Sequence, residues 1–412
     1  VADAALFVST DEGDIYCFRS GEKGKHAPTR PERKNSLPGA PAPDGVAFSW
    51  GPVLQFDGPN SAVVRWGTVA AVPTELEYRL TEGSRQVVDA KPKKEHVARL
   101  ENLEHKRIHH YTISEPGDGA RKRQSSFACD TFFNYSPAAV ARTETPENAG
   151  GDLQTEQIVQ NILSESGIDR GICVIFGAGP LAAELARQSG LTVLVAETDE
   201  EKIAAARSKL QREGIYGTRV SLLPVDSLET LPLPSHFANL VLSQAPLEEN
   251  IVAQAAEAFR LLRPIEGEGF FGPLAGNAQQ QTANVLQTHF AQNGVKADVR
   301  SGDRGNWVHF QKPPLAGAGE WSHQYGRADN SAFGGEVLAY TSVANELETQ
   351  WVGRPGPRYQ PDRNGRKPGP LSTSGRLFAQ GLERIVAIDG YNGTILWSAE
   401  IPDLGRFNIP RD

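Results

Sequence analysis

The sequence predicts a multidomain protein: a β-sandwich, then a doubly wound α/β domain, with all-β repeat segments at both ends. Three observations carry this. Short apolar strands separated by turn residues recur from Val46 to Pro116. The stretch Gly171–Glu197, GICVIFGAGPLAAELARQSGLTVLVAE, reads as strand, Gly-rich turn, helix and strand. Strand–turn–strand patterns with Asp and Gly in the turn stand near both ends, ALFVSTDEGDIYCF from Ala5 and RIVAIDGYNGTILWS from Arg384.

Composition sets the bounds. The 412 residues suffice for two to four domains. With 39% apolar and 22% charged residues the chain has the composition of a globular protein. No apolar run approaches the ~18 residues of a membrane span. The net charge of −8 argues against a general nucleic-acid binder, and the basic run Arg121-Lys122-Arg123 reads as a solvated loop. Three cysteines, Cys17, Cys129 and Cys173, are too scattered for a disulfide framework or a zinc site, so no metal set is expected. The chain lacks Met and opens at Val1. It is therefore expected to be a processed or excised sequence whose targeting signals are missing.

In chain order, Leu6–Val8 and Ile15–Phe18 flank the turn Asp11-Glu12-Gly13-Asp14 as a hairpin. Residues 1–20 form this first segment. Residues 21–45, rich in Lys, Arg, Pro and Ser, read as a linker.

Residues 46–116 carry candidate strands at Ser61–Trp66, Glu75–Leu80, His96–Leu100 and Ile108–Ser114, at the spacing of a sandwich. Trp66 is the expected core aromatic, and Tyr111 is placed as the tyrosine of a corner. His109 and His110 are neighbours on a strand and should face opposite ways, so with His105 they do not make one metal site. The region resembles a fibronectin type III domain, and more closely the small β-domain that precedes the catalytic domain of purple acid phosphatases. That resemblance implies a spacer or docking module. Residues 117–160 read as a linker and then a helix, with Ile158, Val159, Ile162 and Leu163 at helical spacing. Such a helix is expected to cover the nucleotide site of the next domain.

Residues 161–313 are the α/β domain. Ile172–Phe176 is apolar throughout, as in a strand buried on both faces. Gly177 and Gly179 permit a tight turn close to a ligand, and Pro180 suits the first turn of a helix. Glu197, at the tip of the second strand, could accept both hydroxyls of a ribose. The spacing Gly177-x-Gly179-x-x-Ala182, with Glu197 about 20 residues on, fits a dinucleotide fingerprint. Beyond Glu197 the pattern gives a helix at Thr198–Arg212, strands at Val220–Val225 and Phe237–Ser243, and a helix at Ala253–Leu262. Strands at Val295–Arg300 and Trp307–Gln311 close the domain.

This succession, with Gly177-Ala178-Gly179, Glu197, Val225-Asp226, Phe237–Ser243 and Glu257–Pro264 (EAFRLLRP), resembles a class I S-adenosylmethionine-dependent methyltransferase, a Rossmann-like fold. The resemblance implies that Gly177 and Gly179 bracket the methionyl part of the cofactor and that Glu197 holds the ribose. Asp226, with Ser227 beside it, would accept from the adenine amino group, and Ser243 would line the acceptor side. No general base stands out, so no catalytic residue is assigned and the acceptor is open. The chain departs from the family at Ile175, where an acid is usual, at Asn239, where Asp is usual, and at Ile265-Glu266, which replace a Gly pair. Three readings stay open at this point: a methyltransferase, a methyltransferase-type fold without catalysis, and an NAD-binding oxidoreductase.

Residues 314–412 contain candidate strands at Leu347–Val352 and Gly375–Gln380, then the pattern AxDxxxGxxxW from Ala387 to Trp397. This pattern resembles the tryptophan-docking repeat of pyrroloquinoline quinone (PQQ) type β-propellers, in which the Trp stacks between neighbouring blades. The whole order resembles the large quinoprotein-repeat proteins of planctomycete bacteria. A propeller needs about 4–8 blades. The ends of this chain are therefore expected to be a partial propeller, or part of a longer one, that serves as scaffold without PQQ. In the scaffold reading the β-domains present surfaces to a protein partner. A working methyltransferase would imply the cytoplasm, a quinoprotein propeller the periplasm.

Overall fold

The computed structural model describes residues 5–9, 15–19, 45–116, 122–137, 140, 153–243, 250–274, 277–302, 305–337, 349–352, 369–381, 383–402 and 404. The chain divides into two units, Val1–Ala42 and Pro43–Asp412. In the first, β1 (Ala5–Ser9) and β2 (Ile15–Arg19) pair antiparallel, Ala5 opposite Arg19, as the expected hairpin. All but the last residue of the expected linker lies outside the described residues.

The second unit begins with β3 (Phe48–Gly58), β4 (Ser61–Leu80), β5 (Gly83–Leu100), β6 (Ile108–Pro116) and β7 (Lys122–Asp130). Two of the expected strands are halves of one: Ser61–Trp66 and Glu75–Leu80 both belong to β4. Its pairing with β5 is interrupted between Gly67 and Thr74. Such irregularities bend a strand. The first half of β4 pairs with β3 and the second with β6, yet both halves feed one core around Trp66, Leu76, Tyr78 and Ile113. Trp66 is buried as expected. The corner hydroxyl belongs to Tyr78, not Tyr111: it donates to Glu101 O at 3.3 Å and accepts from Glu101 N at 3.0 Å. His109 is buried, 3.2 Å from Arg79 O, while His110 is exposed on the opposite side.

β7 lies in a stretch expected to be linker. Lys122 and Arg123 are strand residues paired with Glu75 and Glu115, not part of a solvated loop. The free edge of β5 carries Lys91, Pro92, Lys93 and Lys94. Charge and proline on an exposed edge discourage strand addition.

The α/β domain runs α1 (Leu153–Ser166), β8 (Arg170–Phe176), α2 (Leu181–Gln188), β9 (Gly190–Glu197), α3 (Glu200–Arg212), β10 (Val220–Pro224), β11 (Leu240–Ser243), α4 (Ile251–Leu261), β12 (Glu268–Leu274), α5 (Asn277–Gln292), β13 (Ala297–Gly302) and β14 (Gly305–Gln311). The sheet order is β10-β9-β8-β11-β12-β14-β13. The first five strands are parallel, and β14 is antiparallel to both of its neighbours. Counted within the domain this is 3-2-1-4-5-7-6. The dinucleotide fold, 3-2-1-4-5-6, lacks the inserted antiparallel strand. One face packs on α4 and α5 through Phe271, Phe290 and Phe310, the other on α1 and α2 through Ile175, Phe270 and Trp307.

The last four strands are β15 (Leu371–Thr373), β16 (Arg376–Gly381), β17 (Arg384–Asp389) and β18 (Ile395–Glu400), antiparallel in that order. β18 joins β3 by two residue pairs, Ala399 with Gln55 and Glu400 with Leu54, so β3–β7 and β15–β18 form one nine-stranded sheet. Of the candidate strand Leu347–Val352, only 349–352 are described, and they are not strand. The turn after β17 closes as the Asp and Gly pattern predicts. Asp389 Oδ1 accepts from Tyr391 N at 2.9 Å, and Gly393 has φ +74°. A side chain at Gly393 would run into the ring of Trp351. The indole on this turn is therefore Trp351, whose Nε1 donates to Gly390 O at 3.0 Å, while Trp397 packs on Phe378.

Candidate functional site

The ends of parallel strands leave a crevice where the strand order reverses, here beside β8. β8 delivers Gly177 at φ +88°, which a side chain would strain, and Gly177 N donates to Ala196 O at 2.8 Å. β9 delivers Glu197, which is 4% exposed. Its Oε2 accepts from Ala178 N at 2.7 Å, and its Oε1 accepts from Thr198 N at 2.8 Å and Asp199 N at 3.0 Å. The carboxylate thus ties the Gly-rich turn to the tip of β9. Asp199 caps α3 by accepting from Glu201 N and Lys202 N.

A cleft of about 520 Å³ opens at this edge, lined by Glu197, Thr198, Glu200, Ile203, Val225, Asp226, Ser227, Thr230 and Leu231, with Pro224 and Pro232. Three of its residues are carboxylates, and no Lys, Arg or His is among the described residues that line it. Of the expected site, the structure brings Glu197, Asp226 and Ser227 into one cleft. Gly177 and Gly179 do not line it; their turn reaches it through the Ala178–Glu197 bond. Ser243 lies apart, in register with Phe176 and Phe271, 1% exposed, its hydroxyl without a partner among the described residues. Sequence reasoning missed Glu200, Ile203, Thr230 and Leu231. The first two sit one helical turn apart at the start of α3, a spacing that could have flagged them. α1 does not cover the cleft. It packs against α2 and over Phe270 and Trp307, and none of its residues lines the cleft.

The departures acquire physical reasons. Ile175 is fully buried in the core under α2. Asn239 faces the opposite end of the sheet. Its Oδ1 accepts from Ile172 N at 2.9 Å and Asn392 Nδ2 at 2.7 Å, and its Nδ2 donates to the buried Asp389 at 2.8 Å. An Asp could not make that last bond. Ile265 and Glu266 adopt left-handed backbone, φ +63° and +30°. Glu266 bridges Arg263 at 2.9 Å and Arg376 at 2.5 Å, which holds the turn in that conformation. Burial opposes the charge on Glu266, but Arg376 and Arg263 bring its carboxyl below the usual range.

Among the described residues no group of three or more His, Cys, Asp or Glu could hold a metal ion. None of their helices is long and apolar enough to cross a membrane.

No family model and no curated protein matches the chain. Solved structures similar to part of it include a protein described as an S-adenosyl-L-methionine-dependent methyltransferase from Methanococcus maripaludis. It is 18% identical, with 42% of this chain and 98% of that one covered and a TM-score of 0.37. A precorrin-6y C5,15-methyltransferase from Geobacter metallireducens is 15% identical over 38% and 88%, TM-score 0.29. The [4+2]-cyclase SpnF is 14% identical over 44% and 89%, TM-score 0.34. The α/β domain is methyltransferase-like by its strand order and its closing antiparallel pair.

Proposed function

We propose that the α/β domain binds S-adenosylmethionine in this cleft and serves methyl transfer to an acceptor still to be found. The observation that carries the reading is the Glu197 carboxylate on Ala178 N. In a dinucleotide site that Gly-rich turn must receive a pyrophosphate. Here a buried carboxylate takes the N–H of Ala178, and Glu200 and Asp226 add negative charge with no Lys, Arg or His among the described residues that line the cleft. A phosphate would be repelled; an unphosphorylated nucleoside with a positive centre would not. This disfavours the NAD reading.

In this proposal Glu197 accepts from one ribose hydroxyl with the lone pair left on Oε2, its Oε1 being taken by Thr198 and Asp199, Asp226 accepts from the adenine amino group, Ser227 stands beside it, and Ile203 and Leu231 enclose the base. Gly177 and Gly179 let the backbone approach the methionyl part, and Ser243 faces the acceptor side. The bound cofactor would supply an electrophilic methyl group on sulfonium sulfur. What the protein adds is chiefly proximity and orientation, which suffice for a good nucleophile. The flanking sheets are proposed as scaffold, the sandwich of fibronectin type and the C-terminal sheet a single quinoprotein-type repeat. A second reading, a methyltransferase-type fold without catalysis, is favoured by Ile175, which leaves an apolar side chain where the family places an acid.

Calorimetry on the full chain tests this. S-Adenosylmethionine should bind and NADH should not, and Asp226→Ala should weaken binding about tenfold, the worth of one hydrogen bond to a charged group. Absence of heat and of thermal shift at millimolar S-adenosylmethionine would refute the reading, and a response to NADH alone would replace it with the oxidoreductase.

A further inference from the structure

Between β10 and β11 the chain from Val225 to Asn239 carries no helix or strand. Connections of that length without structure of their own are uncommon in compact domains and are usually functional. Its first half, with Ser227, Thr230, Leu231 and Pro232, is one wall of the cleft. Its second half runs to the opposite end of the sheet.

The backbone of this connector is held at both halves: the wall itself by α4, and the second half, three to five residues beyond Pro232, from the C-terminal segment. From α4, Glu257 Oε1 accepts from Leu231 N at 2.7 Å, and Arg260 donates to Leu231 O at 3.2 Å and Leu233 O at 2.9 Å. From the C-terminal segment, Asn392 Nδ2 in the turn after β17 donates to Phe237 O at 2.7 Å, and Gln350 Nε2, outside the strands, donates to Ser235 O at 2.7 Å. Both anchors belong to one assembly. Asn392 Oδ1 accepts from Thr394 N at 3.0 Å within the turn after β17, and Trp351, next to Gln350, is bonded to Gly390 of the same turn.

We infer that Asn392 and Gln350 are positioning residues for the cleft, through which the C-terminal segment fixes the wall that a nucleoside would meet. Neither lines the cleft, and both act through main-chain carbonyls. With the anchors gone, the wall opens locally, and a ligand must order it on binding, which lowers affinity. The inference rests on the cleft being a ligand site only for its affinity arm.

The experiment is backbone hydrogen exchange on the full chain, wild type against Gln350→Ala, Asn392→Ala and the double variant, alongside calorimetry with S-adenosylmethionine. Gln350 is exposed, so its removal leaves folding intact even where Asn392→Ala disturbs the buried bond to Asn239. Amides of Glu229, Thr230, Leu231 and Leu233 should exchange about tenfold faster in the double variant, and less so in each single one, with β3–β6 unchanged. Gln350→Glu, which keeps the shape and loses the donor, should match Gln350→Ala. S-Adenosylmethionine affinity should fall three- to tenfold with an unchanged melting temperature for Gln350→Ala. Unaltered exchange at 229–233, or an equal rise throughout the α/β domain, would overturn the inference. If the wild type binds no S-adenosylmethionine, the methyltransferase reading fails, and the exchange pattern still decides whether these residues hold the wall.

Discussion

Asn239→Asp restores the residue usual in the methyltransferase family, and the structure predicts that it harms this protein. Asn239 is 3% exposed and Asp389 0% exposed, and the bond between them is 2.8 Å long. The substitution replaces the donating amide with oxygen and puts two carboxylates where a hydrogen bond was. At that separation and an effective dielectric of about 20, Coulomb's law gives about 6 kcal/mol of repulsion. Arg263 offsets only part, because it lies 3.4 Å from Asp389 and is shared with Glu266. Proton uptake is the cheaper escape. Holding a carboxyl with an ordinary pKa near 4 protonated at pH 7 costs about 4 kcal/mol, and at pH 5 about 1.4 kcal/mol. A protonated carboxyl can donate to its neighbour, so the bond is then regained. The folded variant thus binds a proton that the unfolded chain has released, so the loss grows as pH rises above about 4 and fades below it. Urea titrations of wild type and variant at pH 5 and pH 7 measure this. Adding Asp389→Asn should recover at least about 2 kcal/mol at pH 7, since the two sites are in contact. A loss under about 1 kcal/mol at pH 7, or one independent of pH, would refute the electrostatic account of the junction.

Three further outcomes are expected. Ile265→Gly should raise stability by about 1 kcal/mol in the same titration, because a β-branched residue at φ +63° is strained and glycine is not. Lys312 donates to His236 Nδ1 at 2.7 Å and to Phe259 O at 2.6 Å, and burial, with Arg260 nearby, lowers its pKa to about 8. The unfolded chain holds that proton up to about pH 10.5, so stability should rise by about 3 kcal/mol between pH 8 and 10.5, and Lys312→Met should flatten the rise. Glu400, which accepts from Arg384 at 2.7 Å where β18 meets β3, is raised to about 7 by burial against the opposing pull of Arg384. Its contribution is full below about pH 4.5 and lost as pH rises through 7, and Glu400→Gln should remove that slope from the titration.

The α/β domain was legible because its signals are local. A short apolar run followed by a Gly-rich turn reads as a buried strand, and the helix expected at Thr198–Arg212 is α3, Glu200–Arg212. Glu197, Asp226 and Ser227 came with it, since strand tips converge on one crevice in any doubly wound sheet. The continuity of β4 was not legible: its turn-like residues between Gly67 and Thr74 sit in a bulge, which only pairing reveals. β7 was hidden because its less exposed side begins with the polar residues Arg123 and Ser125, so that only Phe127 and Cys129 carry the apolar alternation. The role of Asn239 was illegible, because its partners Asp389 and Asn392 lie some 150 positions away in sequence. Nor could sequence tell that Tyr78, and not Tyr111, would reach Glu101.

The same contacts bear on how the α/β domain joins the sheet formed by the chain on either side of it. An inserted domain usually meets its host through short connections and a polar interface. Here the turn after β17 bonds Asn239, just before β11, whose own amide oxygen holds the Ile172 N–H of β8, and the connector at Phe237. On the other side Glu400 accepts from Asp130 N of the sandwich, and Ser398 donates to Phe133 O. Strands β15–β18 thus continue the sheet of β3–β7 and are hydrogen-bonded also to the α/β domain. Buried polar junctions of this kind tolerate few alternatives, since each unpaired group costs about 1–3 kcal/mol. Loss of β15–β18 would remove the acceptor of Asn239 Nδ2, the Asp389 partner of Arg263 and the donor to the Phe237 carbonyl together. The α/β domain has therefore given up independence at the end of its sheet opposite the cleft, and its family-unlike residues Asn239, Ile265 and Glu266 all lie at that end.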